Sequence, residues 1–341
     1  MPPWNSAVSQ QILWDIRVPR NVGAWIGGAL LGLSGAVAQG LFRNPLADPY
    51  LLGSSSGASL GVSLYLIAWG GSAISDASLG RLGLTGAAFL GAVLAVVMTL
   101  LLSQGLQQSL RLLLAGVVVG VVMGALSTLV ALTDPTIWQT LQGFMLGSVV
   151  MIDQAACTLL GAVLLVCLIL ASAWSRVLDA LYLGEDTARS LGMPLTSARW
   201  GLVAVMSLAT GSAVAQMGLI AFIGLAAPHA IRSTVRATHA WLLILSALMG
   251  GVLLLASDIL ARLLWAPEEL PVGVITSVLG EDICCGACND RPKEWRDVIS
   301  DGRFVRDCAH CITGWSNRAA RCGAPSAPRP MDVRGGPQRG R

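Results

Sequence analysis

The sequence predicts an all-α, polytopic membrane helix bundle, and three observations carry that prediction. Apolar runs recur along the chain. The first, residues 22–42, holds no charge and is long enough, at about 1.5 Å of rise per residue, to cross a hydrocarbon core of ~30 Å. Charge is scarce: 12% of the 341 residues are charged and 54% hydrophobic, with a mean hydropathy of +0.68, whereas a globular soluble chain carries about 25% charged residues. Glycines repeat at four-residue spacing, as at Gly53, Gly57 and Gly61 and at Gly116, Gly120 and Gly124. Such glycines weaken a water-exposed helix but let backbones pack closely in lipid.

In chain order, the expected spans after 22–42 are 51–69, 84–102, 112–132, 155–174, 200–216, 219–231, 241–264 and the beginning of a last one at 270–279. The run 219–231 is short and contains Pro228, so it reads as a half-length, broken helix held inside the bundle. The sum is about eight complete spans and a truncated last one. Residues 1–21 form an external N-terminal segment, 22–280 the transmembrane domain and 281–341 a tail. The first sixteen residues have no basic n-region, apolar h-region or small-residue cleavage site and are not a signal peptide.

Arginine placement sets the orientation. Alternating the runs puts Arg43, Arg111, Arg176, Arg189, Arg199, Arg232 and Arg236 on one side and Arg17, Arg20, Arg81 and Arg262 on the other. Seven against four makes the first set cytoplasmic and the N-terminus external. The net charge of +3 averages two unlike segments. Residues 1–280 hold 11 arginines, no lysine and 11 acids, and the tail holds 11 basic residues and 8 acids. No nucleic-acid partner follows from it, and membrane lipid is the expected surrounding.

No residue set looks catalytic, and no cofactor is implied. The chain has no G-x-x-x-x-G-K-[ST] loop, and lysine is missing before residue 281, so ATP binding of the P-loop kind is excluded. Any energy source is another subunit. Asp258, an acid in or near the end of a span, invites a functional reading, but Arg262 one turn later offers it an ion-pair partner. His229 has no second His, Cys or carboxylate nearby in sequence and is a poor metal ligand.

The corner between the first two runs is the most distinctive local sequence: R-N-P-L-A-D-P-Y-L-L-G-S-S-S-G, residues 43–57, in which Pro45 and Pro49 stop the helix. Together with I-R-V-P-R before the first run and G-A-L-L-G-L-S-G-A-V-A-Q-G within it, this corner resembles the signature of the FecCD/BtuC-type permeases. These are the membrane subunits of binding-protein-dependent ABC importers for iron-siderophores, haem and cobalamin. The resemblance covers residues 11–280 and implies a type II ABC importer permease fold, with Arg43, Asn44, Pro45, Asp48, Pro49, Gly53 and Gly57 as the signature corner. Relative to that family the first helix is missing and the last is truncated.

The resemblance assigns three further groups. L-Y-L-G-E-D-T-A-R-S-L-G-M-P, within 176–197, reads from spacing alone as a solvated loop with a short amphipathic helix, Glu185 and Arg189 standing i,i+4. It is similar to the coupling loop that docks into the ATPase subunit, with Gly184, Glu185, Ala188, Arg189, Leu191 and Gly192 as its residues. Arg17, Arg20 and Arg262 occupy positions where the family presents arginines to acidic residues of the substrate-binding protein, a periplasmic or surface lipoprotein. Ordinary interfacial anchoring is the alternative. Pro228 and His229 match a structural A-P-H element.

After Gly280 the expected apolar helix gives way to a Cys-, Arg-, Gly- and Pro-rich stretch without periodicity, which reads as disordered. Cys285 and Cys288, with Cys308 and Cys311 after 19 intervening residues, fit a zinc spacing. A reading-frame shift near codon 280 explains the lost helix and the cysteines together and outweighs a zinc module. The expected function is import of a metal chelate, an iron-siderophore before haem or cobalamin, by a permease homodimer or heterodimer. An ion-coupled secondary transporter and a non-functional truncated permease are the alternatives.

Overall fold

The computed structural model describes residues 10–11, 13–69, 79–103, 109–235, 237–264 and 268–288. The described residues are helical throughout and contain no strand. The α-helices are α1 (Val18–Phe42), α2 (Ser54–Trp69), α3 (Leu79–Leu102), α4 (Ser109–Ala131), α5 (Pro135–Leu146), α6 (Gln154–Ala173), α7 (Ser175–Tyr182), α8 (Glu185–Ser190), α9 (Leu195–Met217), α10 (Ile223–Thr234), α11 (His239–Leu264) and α12 (Val272–Cys288). A π-turn, Leu13–Arg17, leads into α1, and a 3₁₀ turn, Pro49–Leu52, precedes α2.

Helix α1 is the axis of the bundle, with α11, α9, α10 and α6 packed around it. It is buried on nearly all sides because its glycines face neighbouring backbones. A Cβ on Gly28 would stand 2.7 Å from the Leu254 Cβ and run into the Gly250 carbonyl; one on Gly32 would meet the Ser246 carbonyl, and one on Gly35 the Gly224 carbonyl. Helices α2 and α3 pack in the same way through Gly57, Gly61 and Gly91. Without a hydrophobic force between helices in lipid, this close approach is what gains dispersion energy.

Six described helices are long and apolar enough to cross a membrane: α1 with its leading turn, α3, α4, α6, α9 and α11. The other two apolar runs, 51–69 and 219–231, form helices too short to count among these six. The run 51–69 resolves into the 3₁₀ turn and the 16-residue α2, about 24 Å long. This helix starts inside the bundle, because Leu51 lies on Gly116 and Gly53 beside Gly120, midway along α4. The run 219–231 becomes α10, 12 residues with Pro228 inside, as expected of a broken helix. Helix α5 was not expected, its polar Thr and Gln residues falling between apolar runs. Its start is nevertheless written in the sequence: Asp134 accepts from the Thr136 N–H at 2.7 Å and Pro135 follows, a standard N-cap.

The last helix does not stop at Gly280 but continues to Cys288. Once nucleated, a helix extends by backbone bonding even where hydropathy falls. Met1–Ala287 and Cys288–Arg341 separate as two units. Cys308, Cys311 and the rest of 289–341 lie outside the described residues, as do the side chains of Cys285 and Cys288.

Enlarging Gly32 to leucine overpacks the α1–α11 contact, and losses of about 1–3 kcal/mol or more are expected. The thermal midpoint of the purified protein in detergent should drop by several degrees for Gly32→Leu. Gly86→Ala, where nothing lies within 4 Å of the new methyl group, should leave it unchanged or raise it.

Candidate functional site

At the N-terminal end of α1, three elements meet in a charge cluster. Arg20 on α1 donates from one terminal nitrogen to Asp258 on α11 and from the other to Glu269, in the connection to α12, both at 2.9 Å. Arg262 donates to Asp258 as well, and at 2.7 Å to the Asn21 amide oxygen. Asp258 is fully buried, so a carboxylate there needs both guanidiniums. Arg20 is only 9% exposed, Arg262 is half-buried, and Arg17 is exposed. Of the three candidate docking arginines, two are therefore engaged inside the protein and one is exposed at the surface. A cleft of about 200 Å³ opens beside the cluster, lined by Arg20, Gly147, Ser148, Glu269 and Pro271. The Arg20 guanidinium holds the Glu269 carboxyl below its ordinary range, against the smaller opposing effect of burial.

The chain breaks between α5 and α6 and again between α9 and α10, and the two breaks pair with each other. The Leu219 N–H donates to the Phe144 carbonyl at 3.0 Å, and the Ser148 N–H to the Met217 carbonyl at 2.8 Å. Carbonyls at the second break and in the first turn of α10 after it take side-chain donors. The Tyr50 hydroxyl bonds to the Ile220 carbonyl at 3.1 Å and the Gln39 amide to the Leu225 carbonyl at 3.3 Å. Tyr50 reaches this depth because the signature corner folds back into the bundle. Arg43, Asn44 and Pro45 are exposed, but Pro49 is buried against Gly224 and Gly53 is buried too. Asp48 shapes the return by accepting from the Tyr50 N–H at 2.7 Å, while Gly57 packs on Gly91. Pro228 is buried in α10, and the half-buried His229 has its Nε2 enclosed without a hydrogen-bond partner. Among the described residues no group of three or more His, Cys, Asp and Glu could hold a metal ion.

Near the C-terminal end of α1, α7 and α8 form a compact elbow. Gly184 (φ +114°) and Gly192 (φ +69°) bracket α8, in conformations that residues with a Cβ rarely adopt. The helix closes in a Schellman motif, with the Met193 N–H on the Ala188 carbonyl and the Gly192 N–H on the Arg189 carbonyl. Ala188 is buried in a small core with Val177, Ala180, Leu181, Leu195 and Ala198. Tyr182, Leu183, Arg189 and Leu191 face outward. The Glu185 side chain lies outside the described ones.

A sequence model of the FecCD transport family matches residues 4–282. The chain belongs to this family. It is 39% identical over 290 residues to the hemin transport system permease protein HmuU of Yersinia pestis, 81% of this chain and 84% of that one. It is 37% identical over 275 residues to the iron(3+)-hydroxamate import system permease protein FhuB of Bacillus subtilis, 80% and 70% of the two chains. With the vitamin B12 import system permease protein BtuC of Salmonella typhimurium it shares 38% over 282 residues, 82% and 84%. Among solved structures, a metal-chelate type ABC transporter in an inward-facing conformation matches with a TM-score of 0.75 and 29% identity, over 83% of this chain and 88% of that one. PsaBC from Streptococcus pneumoniae, at 14% identity and a TM-score of 0.57 over 80% and 92%, shares the fold. The protein is an ABC importer permease, a multi-pass transport component of the bacterial cytoplasmic membrane rather than an enzyme.

Two features of the FecCD permease site were not legible in its sequence. Glu269 joins Arg20 across 249 positions. Asp179 on α7 meets His239 on α11 across 60 positions, its Oδ1 lying 2.6 Å from Nδ1. Neither pair has a local pattern, and only a histidine opening an apolar run hinted at the second.

Removing Asp258 as Asp258→Ala leaves two guanidiniums facing a void, and destabilisation of about 3–5 kcal/mol is expected, read as a large fall in thermal midpoint. Because the folded pKa of Glu269 is depressed, its contact with Arg20 is fully present above the unfolded value of about 4.3. The contact is lost as pH falls through the folded value. The stability difference between the wild type and Glu269→Gln should therefore shrink towards zero on acidification below about pH 4.3 and stay constant above it.

Proposed function

We propose that this permease imports an iron chelate, an iron-siderophore in the first place and haem or cobalamin otherwise. A separate ATP-binding subunit would drive it on the cytoplasmic side, and a substrate-binding protein would load it from outside. Two permease chains, identical or different, would enclose the pathway. The observation that carries the reading is the elbow of α7 and α8. It has a rigid buried underside and an outward face of Tyr182, Leu183, Arg189 and Leu191, as a docking element for a moving subunit requires. The missing P-loop and the absence of lysine before residue 281 support an external ATPase. The named cargoes of the relatives, hemin and an iron(3+)-hydroxamate among them, favour an iron chelate.

Transport would proceed by alternating access. Closure of the ATPase pair displaces the elbow, and the helices respond as packed bodies that slide or rotate. The paired backbone at the mid-membrane breaks keeps polar groups satisfied while they do so. An ion-coupled carrier would need a free intramembrane acid. Asp258 is instead bound by Arg20 and Arg262, which argues against that alternative.

On the external face, Arg17 is the exposed arginine suited to charge-assisted contact with carboxylates of a binding protein. Arg20 and Arg262 would form the base beneath it. Arg17→Glu should weaken binding-protein affinity at least tenfold in titrations with the purified complex and leave thermal stability intact. Unchanged affinity would remove Arg17 from the interface. On the inner face, Leu191→Asp should abolish co-purification of the ATPase subunit; full retention would overturn the docking assignment. Uptake of ⁵⁵Fe-labelled hydroxamate, hemin and labelled cobalamin by cells expressing the complete transporter identifies the cargo, and ATP-independent, ionophore-sensitive uptake would overturn the importer mechanism.

A further inference from the structure

His239 is the first residue of α11 and is 8% exposed. Its Nδ1 lies 2.6 Å from Asp179 Oδ1, and its backbone N–H donates to the same oxygen at 3.1 Å. A carboxylate only accepts, so the imidazole Nδ1 carries the hydrogen in this bond. Asp179 thus caps the start of α11 from another element, where a negative charge also complements the helix dipole. The imidazole rests over Gly40, near the inner end of α1, where a methyl group would come within 3.4 Å of its Cδ2. Tyr182, at the end of α7, stacks at a tilt against it with ring centroids 6.1 Å apart.

One side chain therefore ties the elbow helix α7 to both α1 and α11. Nineteen residues further along α11, about 28 Å at helical rise, stands Asp258 with Arg20 and Arg262. Between the two ends α11 is unbroken and locked to α1 through the Gly28–Gly250 and Gly32–Ser246 contacts. A push on His239 is delivered to the external charge cluster with little slack, because close-packed backbones have no rotamers through which to absorb it.

We propose that Asp179 and His239 are the positioning pair through which displacement of the elbow is passed to α11, and along α11 to the Arg20–Asp258–Arg262 cluster. This proposal rests on the reading that an ATPase subunit docks on α7 and α8. It assigns the pair a part in signalling between the two faces, not in binding either partner.

The test uses the complete transporter in proteoliposomes, comparing ATP hydrolysis with and without the binding protein on the external side. For His239→Ala we expect the ATPase subunit to co-purify as with the wild type. Stimulation of hydrolysis by the binding protein should fall at least tenfold. His239→Gln, which keeps a side-chain donor for Asp179, should recover part of the stimulation, and Asp179→Asn should lose most of it. Wild-type stimulation in His239→Ala overturns the proposal. Loss of the ATPase subunit from His239→Ala does so too, since the pair would then serve docking. Should His239→Ala fail to give a monodisperse complex, His239→Gln and Asp179→Asn carry the same comparison, and full stimulation in both is the overturning result. Failure of the underlying docking reading shows separately, as retention of the ATPase subunit by Leu191→Asp.

Discussion

The contact on which the rest of the bundle depends is the backbone-to-backbone seam between α1 and α11. Gly28, Gly32 and Gly250 let the two helices approach until carbonyls of one lie where side chains of the other would stand. In lipid, burying apolar surface gains nothing over leaving it in the acyl chains, so close atomic contact has to supply the attraction. That is why a helix with so many glycines is stable here and would not be in water. It is also why α1 can be the axis of the molecule: with no large side chains on these faces, α9, α10 and α6 pack closely around it as well.

The seam makes the tethers at its two ends consequential. At one end of the seam a fully buried Asp258 is held between Arg20 and Arg262; at the other, Asp179 holds His239. A fully buried carboxylate such as Asp258 is stable only beside its cations and donors, so the cluster it anchors has one favoured arrangement. Under the proposed coupling, the charge cluster and the elbow act as two ends of one mechanical element.

The two breaks answer a different constraint. Peptide groups away from water need partners, and the chain around α10 cannot supply them all, because 218–221 is non-helical and Pro228 has no N–H for the Gly224 carbonyl. The carbonyls are satisfied from elsewhere, by Tyr50 from the signature corner, by Gln39 from α1, and by pairing with the break after α5. The conspicuous corner sequence is thus partly an interior feature. Its prolines and glycines turn the chain back into the bundle rather than merely joining two helices at its surface.

The sequence by itself determined the helical class, most of the long spans, the broken helix at Pro228, the bracketing glycines of the elbow and the family signature. These are local properties, set by hydropathy over twenty residues, by proline's missing N–H and by glycine spacing. Tertiary structure alone decided which charges meet. Arg20 and Arg262 read as surface arginines, and the Asp258–Arg262 pair could be anticipated from i,i+4 spacing, but Arg20 joining it from the far end of the chain could not. The same holds for Asp179 and His239, and for the depth to which residues 49–53 return into the bundle. A pairing across many residues leaves no trace in local composition, because it follows from which helix faces the glycines allow to touch.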